Sequence, residues 1–250
     1  MGYGQFNEGL QKVKLYKLEG SVNMKIKNWN LYELICLFVF SMVAILLTIM
    51  WKDTLFGFSV FITGVLCVVL AARGEIQTYY FGMYNTFGYA YLAFTNGLFG
   101  EMGLNLFFFV PMNIIGFVMW KKRMCGSIVE MRGLQKKSKV VTILICVLGS
   151  ISLGFLLSLI HGQNTPYIDA ITNVLSIVAT FLMVWRFKEQ WLLYIVLNIF
   201  TIFMWSIRTV NGSPDGALMI VMWSAYLVNA IYGYYNWNKG AIQSKEKFSI

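Results

Sequence analysis

The sequence predicts an all-α integral membrane protein with eight transmembrane helices: one accessory helix, then two parallel three-helix repeats joined by a linker helix. Three observations carry that reading. Of 250 residues, 58% are hydrophobic and 12% charged, with a mean hydropathy of +0.64, more apolar than a soluble domain. Charges are missing from the interiors of eight windows of about 18 to 24 residues, the helix length that crosses a hydrocarbon core of ~30 Å. Finally, 18 of the 20 Lys and Arg fall in alternate inter-span segments, and only Lys52 and Arg208 fall in the others. That asymmetry follows the positive-inside rule and puts both termini and the long basic loop in the cytoplasm. It also argues against nucleic acid as the partner of the +9 net charge, because the charge lies between spans. The windows are continuously apolar with dispersed small residues, unlike the strict alternation of a transmembrane barrel strand.

Residues 1–32 are polar and basic, with Lys12, Lys14 and Lys17 among scattered apolar residues; they read either as an interfacial amphipathic helix or as a disordered tail. Span 1 (33–51) shows no polar face and is expected to be a lipid-facing accessory helix. Span 2 (55–72) and the short Arg73-Gly74-Glu75 turn lead to span 3 (76–97), which is rich in Tyr and carries Gln77 and Asn85. Span 4 (103–120) contains Pro111, which should kink or open the helix. Together 55–120 form the first repeat. The segment 121–161 holds a basic loop and the linker span 5, whose Gly149, Ser150, Ser152 and Gly154 allow close packing. The second repeat, 167–237, comprises span 6 from Tyr167, span 7 and span 8, and 238–250 is a cytoplasmic tail.

In span 7 the apolar run is interrupted by Trp191, Tyr194, Asn198, Thr201 and Trp205, at steps of three, four, three and four. On a helix these residues share one face, and a polar, aromatic face in lipid should turn into the protein. It reads as a wall of a small-molecule site. The repeat pairs Ile62-Thr-Gly-Val-Leu66 with Ile171-Thr-Asn-Val-Leu175 at an offset of 109, Gln77 and Asn85 with Gln190 and Asn198 at 113, and Gly116 and Trp120 with Gly233 and Trp237 at 117. One span separates the triplets, so both cross in the same direction, and the cargo is expected where spans 3, 4, 7 and 8 meet.

Several motifs, namely Tyr79-Tyr80-Phe81-Gly82, Gly100-Glu101, Pro111-Met112-Asn113 through Trp120, Glu189-Gln-Trp191-Leu-Leu-Tyr194 and Tyr232-Gly233 through Trp237, resemble the bacterial nicotinamide riboside transporter (PnuC) family over about residues 55–240. The resemblance implies a fold like a full-length relative of the SWEET carriers in the bacterial cytoplasmic membrane. It implies facilitated diffusion of a vitamin or vitamin precursor, trapped inside by a cytoplasmic kinase. Family cargoes include nicotinamide riboside, thiamine and riboflavin. The chain has Asn113 and Phe117 where the pattern P-x-Q-x-x-G-W expects Gln and Trp, which leaves the cargo open among these.

Asn198 allows two readings: a glue pair with Asn85 between the repeats, or recognition of cargo. Asn113 and Asn229 share that ambiguity. Trp191 and Trp205 fit either a stacking face or an interfacial anchor, whereas Gly116, Trp120, Gly233 and Trp237 read as packing and cytoplasmic belt. Tyr80, Tyr84 and Tyr226, with Tyr79, Tyr91 and Tyr232, are too many for belts alone. They suit a flat heteroaromatic ring, a cationic one especially, and sugars also stack on such faces. The expected substrate contacts are therefore Asn198, Trp191, Tyr194, Thr201, Trp205, Asn85, Gln77, Tyr80, Tyr84, Asn113, Tyr226 and Asn229.

An enzyme is not expected. His161, the one histidine, has no acid or thiol at motif spacing, and no nucleophile, cofactor loop or metal cluster is visible. The four cysteines stand singly and predict no bridges. Glu75, Glu101, Asp169, Glu189 and Asp215 lie near span ends, so no proton relay is evident and uniport is expected. Whether the chain works alone or as a homo-oligomer stays open.

Overall fold

In the computed structural model, residues 29–50, 54–95, 99–159, 165–210, 212 and 216–248 are described. Helices α1 (Leu31–Met50), α2 (Leu55–Arg73) and α3 (Thr78–Thr95) come first. A helical rod follows, made of α4 (Phe99–Leu104), a π segment (Asn105–Phe109) and α5 (Val110–Lys121). The hairpin β1 (Met124–Cys125) with β2 (Ile128–Val129) then precedes α6 (Lys136–Ser158), α7 (Pro166–Val184), α8 (Gln190–Val210) and α9 (Gly216–Phe248). The expectations for residues 1–28, His161 and Asp215 lie outside the described residues.

Among the described residues six segments are long and apolar enough to cross a membrane: most of α1, α2, the rod from Met102 to Lys121, α6, α7 and α8. The remaining two expected spans are present as helices, α3 and α9, but their Tyr, Asn and Gly dilute the hydropathy. Pro111 opens its helix as expected. It has no N–H, and its ring crowds the carbonyl four residues back, so the ladder widens just upstream and the Val110 N–H bonds to the Asn105 carbonyl. The expected tail is helical as far as Phe248, because Gly240 and Ala241 let α9 pass beneath Met131; a Cβ on Gly240 would lie 2.4 Å from Met131 Sδ.

Helix α1 departs from the lipid-facing expectation. Glu33, Cys36, Phe40, Val43 and Ala44 form a buried stripe that packs against α2 and α9, while Leu34, Phe38, Ile45 and Ile49 remain exposed. The Glu33 carboxylate accepts from the Asn30 N–H (2.9 Å), the Tyr232 hydroxyl (2.5 Å) and the Arg73 guanidinium, which also bonds Glu75 (2.6 Å) and covers the Trp29 ring at 4.6 Å. A carboxylate in a span is held by such partners or not at all.

The α2–α3 and α7–α8 corners are built alike, with residues 112 positions apart playing the same parts. Gly74 (φ 76°) and Arg186 (φ 64°) both adopt the left-handed conformation that ends a helix, the arginine at the strain cost usual for a non-glycine. Their N–H groups bond to Ala71 and Met183, and the next N–H groups, of Glu75 and Phe187, to Leu70 and Leu182. Thr78 and Gln190 then open α3 and α8, bonding back to Glu75 and Phe187. Gln77 therefore lies in the turn ahead of α3, whereas Gln190 is the first residue of α8. The expected pairing of Gln77 and Asn85 with Gln190 and Asn198 is off by one: Thr78 and Thr86 occupy those places, and all four are buried. One residue on a helix is a 100° rotation, so the slip exchanges one face for another.

The basic loop is a strap over both corners. The Val129 N–H bonds to the Gly74 carbonyl (2.9 Å) on one side. On the other, the Arg132 N–H bonds to Arg186 (2.9 Å) and the Lys188 N–H to Arg132 (2.8 Å), with the Arg132 guanidinium over the Phe187 ring at 4.5 Å. Glu189 anchors the strap's far end through the Leu134 N–H (2.9 Å) and Lys139 (3.0 Å). Burial and the neighbouring Arg132 push the Arg186 guanidinium below its ordinary pKa, with Glu130 opposing them. Thus the start of α1, both corners, the strap and the end of α9 meet at one end of the bundle.

Candidate substrate site

Helix α8 turns the expected face inward. Trp191, Asn198 and Thr201 are buried, Tyr194 and Trp205 half-buried, while Leu192, Val196, Ile199 and Phe203 form the exposed stripe opposite. Asn198 is 4% exposed, midway along the helix, and its amide has no hydrogen-bond partner among the described residues. The glue pair is not formed: Asn85 Nδ2 donates instead to the Val60 carbonyl on the neighbouring helix (2.7 Å). An inward amide midway along a span is retained where it has polar groups to bind, which makes Asn198 a recognition group on the face.

Below Asn198 stands an aromatic column. Tyr194 packs on Trp191 (5.9 Å between ring centroids), Trp191 on Trp237 (6.3 Å), Trp237 on Trp120 (5.6 Å) and Trp120 on Tyr79 (5.0 Å). Glycines make room for it, since a Cβ on Gly116 would fall 2.4 Å from the Tyr79 ring and one on Gly233 2.6 Å from the Trp191 ring. Trp120 and Trp237 are fully buried, not a surface belt, and their indoles reach across the bundle reciprocally: Trp120 Nε1 donates to Met183 (2.9 Å) and Trp237 Nε1 to Ala71 (3.0 Å), the equivalent carbonyls of the two corners. Trp191, buried within this column, is not an interfacial anchor either.

The other expected contacts divide. Tyr226 is half-buried between Phe40 (5.3 Å) and Trp223 (5.5 Å). Asn229 is buried and ties α9 to α2 through the Val68 carbonyl (3.2 Å). Asn113 bonds Thr86 (3.2 Å) and the Phe109 carbonyl (3.0 Å), Thr201 bonds back to Leu197 (2.9 Å), and Arg208 covers the Trp205 ring at 4.9 Å. The Gln77 Oε1 is buried without a partner. Tyr80 and Tyr84 stand apart from the α8 face: 54% and 47% exposed, they lie on a stripe of α3 with Phe87, Tyr91 and Phe94, Tyr84 bonds Ser59 (2.8 Å), and with Phe56, Met83, Phe87 and Gly88 they line an open cavity of about 520 Å³. Because both faces of α3 carry aromatic rings, hydrophobicity gives no clue to its rotation.

A family profile described as nicotinamide mononucleotide transporter matches residues 54–239. The nicotinamide riboside transporter PnuC of Neisseria mucosa is 32% identical over 96% of this chain and 97% of its own length. That of Haemophilus influenzae is 33% identical over 86% and 92%. The chain belongs to the PnuC family. A crystal structure described as the vitamin B3 transporter PnuC superposes with a TM-score of 0.72 at 33% identity, covering 87% of this chain and 94% of that one. PnuC proteins are multi-pass membrane transporters, not enzymes. The PnuC profile begins after α1, yet the Neisseria alignment takes in nearly the whole chain, so α1 is not a private addition.

Sequence reasoning passed over Glu33, read the reciprocal tryptophans as packing and belt, and gave Gln190 no part in the site although it lies on the same inward arc as Tyr194. A lone carboxylate in the first turn of an apolar span was the available signal for Glu33, since such a charge implies a partner.

Proposed function

We propose that the chain is a uniporter for nicotinamide riboside in the bacterial inner membrane, with Asn198 holding polar groups of the cargo and Trp191 and Tyr194 receiving its pyridinium ring. The observation that carries this is the inward, unpartnered Asn198 above an aromatic column in a PnuC chain. A cationic ring gains from such faces. Between Gln190 and Trp205 the face of α8 has amides, hydroxyls and rings but no Lys or Arg, which suits a nucleoside better than a phosphorylated nucleotide, whose charge would need a paired cation in the membrane. Phosphorylation by a cytoplasmic kinase would then trap what enters.

We further propose eight spans, 3+1+3 as in a full-length SWEET-like carrier, with residues 55–120 and 167–237 as parallel repeats, 121–161 as strap and linker, and both termini cytoplasmic. The like-built corners, the reciprocal tryptophan bonds and the meeting of the basic segments at one end support this arrangement. Calorimetry of the purified protein with nicotinamide riboside, nicotinamide mononucleotide, thiamine, riboflavin and simple sugars tests the cargo: the riboside is expected to bind most tightly, and tighter binding of any other would reassign it.

A further inference from the structure

Buried polar atoms without a protein partner are concentrated at one level of the molecule. Gln77 Oε1, Tyr79 OH, Arg186 Nε, both amide atoms of Gln190 and Trp191 Nε1 all belong to the two corners; elsewhere among the described residues the same condition is met by Trp223 Nε1, while Glu189 Oε1 at the corner is ion-paired with Lys139. Gln190 is the extreme case, 0% exposed with neither atom bonded. On α8 it stands one turn from Tyr194 and two from Asn198, on the same inward arc. Tyr79 and Trp191, close to Gln77 and Gln190 in the chain, flank the Trp120 and Trp237 pair within the column.

A permanently closed core would be better filled here by leucine, because each unpartnered amide atom carries its full desolvation cost. An arrangement of the same helices that admits a polar molecule to this level would supply these groups with partners. We propose that the corner level is a second, exit-side station for the cargo: when the tryptophan pair separates, the hydroxyl and carboxamide groups of the nucleoside move about 12 Å along α8, from the level of Asn198 to that of Gln190, and pair with Gln190 and Gln77 before release. The station rests on the transport reading above.

The test is Gln190→Leu in the full-length protein, with nicotinamide riboside as the probe and wild type alongside. If the station exists, Gln190→Leu protein keeps a Kd within about twofold of wild type and a melting temperature no lower, while its turnover in liposomes falls ~10-fold, as expected for lost bonds on the exit step alone. Unchanged turnover overturns the station. So does a Kd weakened in parallel with turnover, which would place Gln190 in the main site, or a lowered melting temperature with normal turnover, which would make it structural. Gln77→Leu, read by the same criteria, decides the matter should Gln190→Leu not fold. A wild-type protein that neither binds nor moves the riboside would sink the transport reading instead, a result distinguishable from all of these.

Discussion

The hydroxyl of Tyr232 on the last helix donates to the carboxylate of Glu33 on the first, at 2.5 Å, and the same carboxylate takes the Arg73 guanidinium of α2. The first two helices and the last are thereby tied at one buried point.

Removing that point should be costly. Glu33→Ala leaves a buried arginine short of a partner and is expected to destabilise the fold by about 3 to 5 kcal/mol, whereas Tyr232→Phe, losing one bond to a charged acceptor, should cost about 1.5 to 3. Thermal unfolding of both variants in detergent checks the order; equal, negligible losses would mean that α1 is held by its apolar stripe alone.

The aromatic column should resist crowding equally at both ends. Gly116→Ala and Gly233→Ala each drive a methyl into a ring, and each is expected to cost about 1 to 3 kcal/mol in stability. Comparable melting-temperature losses in the two variants are the expected result.

Asn198→Leu should spare the fold and spoil recognition. The amide has no protein partner to lose, so stability should hold or rise, while the riboside loses about 1 to 3 kcal/mol of binding, roughly 5- to 150-fold in Kd. Titration of monodisperse protein measures this, and wild-type affinity would remove Asn198 from the site.

Transport should be indifferent to imposed proton and sodium gradients. The one carboxylate found buried in a described span, Glu33, lies in the first turn of α1 and is committed to Arg73 and Tyr232, which leaves no free relay. Gradient-driven uphill accumulation of unmodified riboside in liposomes would contradict this.

Orientation can be read with the protein's own thiols. Cys125 in the strap is exposed, whereas Cys36 and Cys146 are buried. A membrane-impermeant maleimide is expected to leave Cys125 unlabelled in intact cells and to label it in inverted vesicles; the reverse pattern would invert the topology.

What the sequence made legible was what the bilayer dictates directly. Apolar windows, the partition of Lys and Arg and the three-four spacing on α8 all follow from the length, charge and sidedness of a membrane helix, and the inward face of α8 agrees with them. Tyr80 and Tyr84 escaped because tyrosine is at home on either face of a helix, and α3 has it on both. The repeat register slipped because matching a Gln and an Asn favoured identity over position, where the corners' hydrogen bonds align Thr78 and Thr86 instead. Glu33 was hidden by lying at the edge of its window, where a carboxylate looks interfacial, and by partners 40 and 199 residues away.

At 33 residues α9 is about 50 Å long, some 20 Å more than the hydrocarbon core requires. The surplus lies at the strap end, where Ala241 and Gly240 seat it under Met131. A continuous helix carries any tilt along its whole length: a tilt of about 10° about its midpoint would move its far end by roughly 4 Å against Met131.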